Sequence, residues 1–445
     1  MTILNHLKKG NHNFKYIFLA IVLLSSSCIK KKKTDLIIHN GIIHTIDDRN
    51  STYEAIAIND GKIIAIGKNN QILNKYKGKE ILDVEGKIVY PGFIDSHCHF
   101  IEYGLQSNMI DLSHANSFQD ILEILREKNL ENNEQWVIGY GWDQNKWEDK
   151  TWPNNKLLNK FFPKTNVVLK RVDGHAVMAN KSAIKSSKIP LDTIIQGGYI
   201  EKINGEITGL FIDNGMDLIL DKIPTPNEEA KKKALLQAQK DCFSLGLTTV
   251  DIAGLLKDDI KLIEKLHATN ELKIKIYGML SDNDENFNYF IDSIGAPIKT
   301  EKLNVRSFKF FADGSLGSRG ACLLKPYSDK TSSNGFLIQE MKIYEEKLMK
   351  LKSFGFQACT HAIGDSTNRM VLKSYAKTLK KSNDLRWRVE HAQCVSQNDT
   401  LETSTSFPPY NQPMQLQILI GEFFVWAKKD YPIAINIIRY ISQIK

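Results

Sequence analysis

His97 and His99 stand two residues apart at the end of the apolar run Lys87-Ile88-Val89-Tyr90-Pro91-Gly92-Phe93-Ile94-Asp95-Ser96. Alternate side chains on a strand face the same way, so both imidazoles can reach one metal ion while Cys98 turns to the opposite face. Two more β-prone segments, Phe356-Gln357-Ala358-Cys359-Thr360-His361 and Arg386-Trp387-Arg388-Val389-Glu390-His391, each end in a histidine. Taken singly, either histidine reads as a hydrogen-bonded core residue. In a barrel of parallel strands, however, chemistry gathers at the C-terminal strand ends, and His361 and His391 then complete a four-histidine set with the first pair. Lys309 sits in the middle of the aromatic segment Val305-Arg306-Ser307-Phe308-Lys309-Phe310-Phe311-Ala312-Asp313-Gly314. A buried ammonium is costly unless it is paired or chemically changed. If Lys309 faces the histidines, a CO2-derived carbamate bridging two cations accounts for it. The alternative is a lysine on the solvent side of the strand.

The elements that must position these groups can be read around them. Residues 34–90 alternate in short β-like units, with hairpin signals at Asn40-Gly41 and Asp60-Gly61, and predict a small β-sandwich in which His39 and His44 are structural. Residues 108–241 form a long insertion, with helical patches such as 227–239 and aromatic loops, expected over the barrel mouth. Trp142 and Asp143 in its Gly-rich loop, and Asp173, Gly174 and His175 in the next motif, are candidates for substrate contact. Trp142 reads equally as a hydrophobic plug. His175 either donates to a tetrahedral oxyanion, a catalytic role, or ties two loops together. Gly314, Gly317 and Gly320 resemble a phosphate cradle only superficially, since the lysine of a P-loop is missing.

With these segments together, the chain resembles the amidohydrolase superfamily, in its amidohydrolase-3 branch, similar to N-substituted formamide deformylase-like metal-dependent hydrolases. The matching motifs run from about Asp35 to His391: Pro91 to His99, Gly139-Tyr140-Gly141-Trp142-Asp143, Arg171-Val172-Asp173-Gly174-His175-Ala176, Lys309 to Ala321, and Val389-Glu390-His391-Ala392-Gln393. The resemblance implies an α/β fold, a (β/α)8 TIM-like barrel, with His97 and His99 on strand one, Lys309 on strand four, His361 on strand five and His391 on strand six. It implies two divalent ions, expected to be zinc, about 3.5–4 Å apart, which would lower the pKa of a bridging water and polarise a substrate carbonyl. The implied reaction is hydrolysis of a non-peptide C–N bond, an amide of a small molecule. A related deaminase or other C–N hydrolase, and a non-catalytic scaffold lipoprotein, stay open as alternatives. The resemblance also implies an aspartate after strand eight, metal ligand and general base, which is not found in this sequence.

Length and composition suit a large enzyme: 445 residues, 42% hydrophobic and 25% charged, enough for a barrel and a smaller domain. The formal net charge of +8 owes seven charges to Lys8, Lys9, Lys15 and Lys30, Lys31, Lys32 and Lys33, with no acidic residue before Asp35. The remainder is nearly neutral, which argues against a nucleic-acid partner. Basic residues followed by the apolar stretch Tyr16 to Leu24 and by Leu24-Ser25-Ser26-Ser27-Cys28 resemble a lipoprotein signal over residues 1–28, with Cys28 lipidated. This predicts a periplasm-facing, lipid-anchored protein of a bacterial envelope, with an ordinary cleaved signal and secretion as the alternative. Cys98, Cys242, Cys322, Cys359 and Cys394 lack CxxC spacing and read as thiols.

The barrel pattern covers residues 91–402, and residues 403–445 do not continue it. Reading the permitted codons of Phe407 to Gly421 in a shifted register allows Pro-Ser-Ile-Gln-Pro-Thr-His-Ala-Thr-Ser-Asp-Ile-Asp-Trp, a family-like continuation. A one-register frameshift near residues 402–406 is therefore expected, with an out-of-frame tail and a barrel lacking strands seven and eight. Such a chain is expected to be unstable and catalytically impaired, because strands one and six would expose open edges.

Overall fold

The structure, a computed structural model, describes residues 31–128, 136–190, 193–379, 383–396 and 399. Cys28 and the tail from 403 lie outside the described residues. The chain divides into two units, with the boundary after Pro91.

In the first unit, four strands run in the order Lys62–Gly67, Ala55–Asn59, Lys32–His39, Tyr76–Asp83, and a three-stranded sheet joins Thr52–Tyr53, Ile42–His44 and Ile88–Val89. Ile37, Ala55, Ala57, Ile72 and Tyr76 form its small core. Asp60 and Gly61 take φ of 50° and 70° and close a two-residue hairpin between Asn59 and Lys62, as their residue types predict. Asn40-Gly41 does something else. Asn40 has φ of 59°, but the strands on either side enter different sheets, so the turn sends the chain from one sheet to the other. His44 stacks on Tyr90 at 4.8 Å, in a structural setting.

The second unit is built on six parallel strands, β1 (Phe93–Cys98), β2 (Leu247–Leu255), β3 (Lys275–Ser281), β4 (Leu303–Phe311), β5 (Gln357–Ala362) and β6 (Arg388–His391), adjacent in chain order. Helices Lys257–Ala268, Met341–Ser353 and Asp365–Leu379 cross from β2 to β3, β4 to β5 and β5 to β6. Ala358 and Ala362 of β5 pack with the crossover helices, while Cys359 packs with Ala253 and Met279 of β2 and β3, so β5 is buried at all of its residues. Ile252, Leu266, Phe308, Tyr344, Val371 and Val389 belong to one continuous core between strands and helices. The sheet curls in the manner of a TIM-like barrel. Although β1 and β6 are its terminal strands, Arg388 Nη2 donates to the Ser96 carbonyl at 3.1 Å, and His97 is hydrogen-bonded to Glu390.

Between β1 and β2 the chain builds, besides helices, a second sheet that the sequence pattern does not predict. Its order is Gly198–Ile203, Glu206–Asp213, Ala176–Ala179, Asn166–Arg171, Trp136–Trp142, Ile110–Asp111. The Gly-rich segment around Gly139 is therefore a strand. A Cβ at Gly139 would stand 2.6 Å from Leu112, so the glycine is what lets the core close on this strand. At Gly141, with φ of 103°, the register slips between Tyr140 and Trp142. The helical expectation holds at the end of the insertion, where Asn227 caps the helix Glu228–Ser244 by accepting from Ala230 N–H. No described helix is long and apolar enough to cross a membrane.

Candidate metal centre

Strand alternation and strand order bring five predicted groups together at the C-terminal end of the parallel sheet. His97 closes on His391 with ring centroids 5.1 Å apart, His391 on His361 at 4.6 Å, and His97 on His99 at 5.7 Å. His99 follows β1 directly and is exposed, standing at the rim. Lys309, 1% exposed, faces inward, with Nζ 3.3 Å from His97 Nε2 and 4.4 Å from the Phe311 ring centroid. The solvent-facing alternative for this lysine is thereby removed. Cys98 packs on the opposite side, against the helical core.

The imidazoles are held neutral. Burial pushes His97 down to about 4, with the Lys309 charge acting in the same direction. His361 and His391 lie well below the ordinary histidine value, first because burial disfavours the charged ring and then because of their neighbours' charges. His361 Nε2 lies 3.3 Å from the Gly314 carbonyl, while its buried Nδ1 has no hydrogen-bond partner among the described residues. A buried lone pair without a donor is what a metal ligand requires. Among the described residues, no three His, Cys, Asp or Glu side chains form a closed ligand group. The set is instead an open cup of neutral nitrogen donors around an inward lysine, and in donor type it fits a divalent cation.

Each wall of the cup has a support. Asp313 accepts from the backbone N–H groups of Ile363, Gly364 and Cys322, all at 2.9 Å, which ties the loop after β4 to the loop after β5 beside His361. Burial raises the Asp313 carboxyl to about 6 against the pull of those N–H groups. His97 Nδ1 is hydrogen-bonded to Glu390, which in turn accepts from Arg388 Nε. In the motif Val389-Glu390-His391 the sequence alone assigns Glu390 no role. The signal was the i, i+2 alternation of Arg388 and Glu390 along a buried strand.

His175 comes from the insertion sheet, its ring 5.1 Å from His361. Its Nδ1 is 2.6 Å from Asp213 Oδ1. Burial opposes charge on His175, but the hydrogen bond and charge of Asp213 outweigh it and hold the imidazole above its usual value. Asp213 adopts φ of 48° and ψ of −127°, and Gly314 and Gly320 leave it room: a Cβ on either would come within 2.2 and 2.3 Å of Asp213 Oδ2. The glycines after β4 serve packing of this kind, which disposes of the phosphate-cradle comparison.

The remaining candidates are engaged elsewhere. Asp143 and Asp173 are both ion-paired to Arg171 at 2.5 Å, Gln144 takes the guanidinium's Nε at 2.8 Å, and Ser315 donates to Asp173 at 2.6 Å. Trp142 is 1% exposed and donates to the Leu169 carbonyl at 2.9 Å, within the core of the insertion sheet. This burial and hydrogen bond fit the plug reading of Trp142.

The pattern of the amidohydrolase family, Amidohydro_3, matches residues 80–407, a span that holds every member of the cup. The chain belongs to the amidohydrolase superfamily, in its amidohydrolase-3 branch. Among other amidohydrolases, it is 32% identical to YtcJ of Bacillus subtilis over 381 residues, 83% of this chain and 71% of that protein. It is 24% identical to the N-substituted formamide deformylase of Arthrobacter pascens, over 80% of this chain and 69% of that protein. The protein LONG AFTER FAR-RED 3 of Arabidopsis thaliana is 30% identical over 81% of this chain, which spans 64% of its length. A metal-dependent hydrolase from Pyrococcus horikoshii superposes with a TM-score of 0.65 at 26% identity, over 83% of this chain and 73% of that one. Amidohydrolase membership and this metal-dependent neighbour agree with the nitrogen cup in pointing to a hydrolase that uses a divalent metal.

Proposed function

We propose that the chain hydrolyses an amide-type C–N bond of a small molecule at a divalent metal centre, with zinc as the ion. The convergence of His97, His99, Lys309, His361 and His391 where β1, β4, β5 and β6 end carries this reading. In it the four imidazoles would hold the metal, and Lys309, reacting as the neutral amine with CO2 and releasing a proton, would become a carbamate able to serve as a further anionic ligand. When bound, the metal supplies a water of near-neutral pKa and polarises the carbonyl. Glu390 orients His97, Asp313 ties down the strand end that carries His361, and His175, steadied by Asp213, donates to the oxyanion.

Two finer readings accompany this one. Residues 34–90 are read as part of a β-sandwich, and the barrel as lacking its seventh and eighth strands. Phe93 and Ile94 on β1 are 52% and 65% exposed, as expected for a strand with an open flank. From sequence, Cys28 is read as the point of lipid attachment in the cell envelope; metabolic labelling with palmitate, lost in Cys28→Ser, tests it.

The deciding experiment measures bound zinc by atomic absorption together with turnover of a panel of N-acyl and N-formyl amines. About one or two zinc ions per chain and release of the free amine support the proposal. Ammonia from a ring substrate favours a deaminase, and absence of stoichiometric metal from a folded preparation favours the non-catalytic scaffold.

A further inference from the structure

Beneath the cup lies a buried polar chain of which the reading above uses only the contact of Glu390 with His97. Arg388 and Glu390 alternate on β6, so both side chains point into the curl of the sheet. Arg388 is held from three strands: Nη1 lies 3.3 Å from Asp251 Oδ2 on β2, Nη2 donates to the Ser96 carbonyl on β1 at 3.1 Å, and Nη2 lies 3.4 Å from Met279 Sδ on β3. Its Nε donates to Glu390 Oε1, and the other carboxylate oxygen, Oε2, is hydrogen-bonded to His97 Nδ1. Glu390 is 1% exposed and therefore has no freedom to turn toward solvent. Neutral imidazole carries one N–H, and which nitrogen holds it is set by the partner of the other. A carboxylate accepts only. A proton at Nδ1 leaves the Nε2 lone pair directed toward Lys309 and the cup.

We infer that Glu390 is a positioning residue that fixes His97 as the Nδ1–H tautomer, and that Arg388, braced by Asp251 and the β1 backbone, aims the carboxylate. This deepens the metal-centre reading and rests on it for its consequence. The other charged or titratable neighbours of His97 are Lys309, 3.3 Å from Nε2, His391 and His99, with ring centroids 5.1 and 5.7 Å away, and Arg388 behind Glu390. The hydrogen bond of Nδ1 goes to Glu390 Oε2. Carboxylate partners of this kind are worth about 10–100-fold in metal affinity.

The test reads the tautomer without metal. In the full-length, metal-free chain labelled with 15N-histidine, His97 is assigned by the signal lost in His97→Asn. The expected spectrum shows a protonated Nδ1 and a lone-pair Nε2. Glu390→Gln, which keeps the shape but can donate as well as accept, is expected to give mixed tautomers and zinc binding weaker by about 10–100-fold. Glu390→Asp restores the single tautomer in part. An Nε2–H or doubly protonated His97 in the parent chain overturns the inference, as does a folded Glu390→Gln variant with unchanged tautomer and zinc affinity. If Glu390→Gln does not fold, the parent spectrum and Glu390→Asp still decide. A parent chain with the expected tautomer but no zinc binding removes the metal-centre reading and leaves the control of His97 by Glu390 standing.

Discussion

Two polar clusters sit in the second unit, the histidine cup at the end of the parallel sheet and the Arg171 clamp in the insertion sheet, and both carry residues whose types suggest chemistry. They differ in what they leave over. Around Arg171 every guanidinium nitrogen meets an acceptor, from Gln144, Asp173 and Asp143. In the cup, nitrogen bases converge on one another and on an inward lysine, and His361 keeps a buried lone pair with no donor among the described residues. What the clamp leaves over, among the described residues, is a buried donor, Gln144 Nε2, which cannot hold a cation. A network with unused valence is arranged for something brought from outside.

The strongest way to break this contrast is to remove a ligand. His361→Ala is expected to lower hydrolysis about 10³-fold, or ~4 kcal/mol of barrier, and to reduce bound zinc, while urea midpoints move little. Steady-state rates on the best substrate and metal analysis check it. The clamp answers in the opposite coordinate: Arg171→Met strands two carboxylates and is expected to cost about 3–5 kcal/mol in urea unfolding, with zinc per folded molecule unchanged.

Acid separates the clusters further. His97, at about 4, and His361 and His391, well below the ordinary histidine value, are depressed in the folded chain by burial, so the unfolded chain binds more protons below about 6.5. Stability of the metal-free protein is therefore expected to fall from pH 6.5 toward 4, by about 1.4 kcal/mol per pH unit for each such ring. His175 has a raised value and works in the other direction, its contribution present in acid and lost as pH rises through the folded value. Melting curves across this range, with and without zinc, show whether the slope is there and whether metal steepens it. The smallest effect belongs to Trp142→Phe, which removes one indole hydrogen bond, for about 1 kcal/mol by thermal melting and no change in KM.

The cup was legible because strand periodicity and strand ends carry position in themselves: His97, Lys309, His361 and His391 fall where their segments end or turn inward. The ion pairs of Asp143 and Asp173 with Arg171 were not legible, because that partner becomes visible only when strands Trp136–Trp142 and Asn166–Arg171 lie side by side. The insertion sheet escaped for a related reason. Its strands are short, interrupted by glycine and aromatic residues, and paired partly through crossovers that local pattern does not encode. Asn40-Gly41 shows the same limit at small scale, since a turn signal gives the bend and not the sheet that receives the next strand.

Asp213 occupies backbone space that a side chain enters at a cost of order 1–3 kcal/mol, and it does so to hold His175. A design procedure rewarded for folding alone would write glycine there, gain a calmer backbone and release the histidine without any warning in its score. Anyone redesigning this scaffold for stability has to freeze position 213 by hand, together with the two glycines that leave it room.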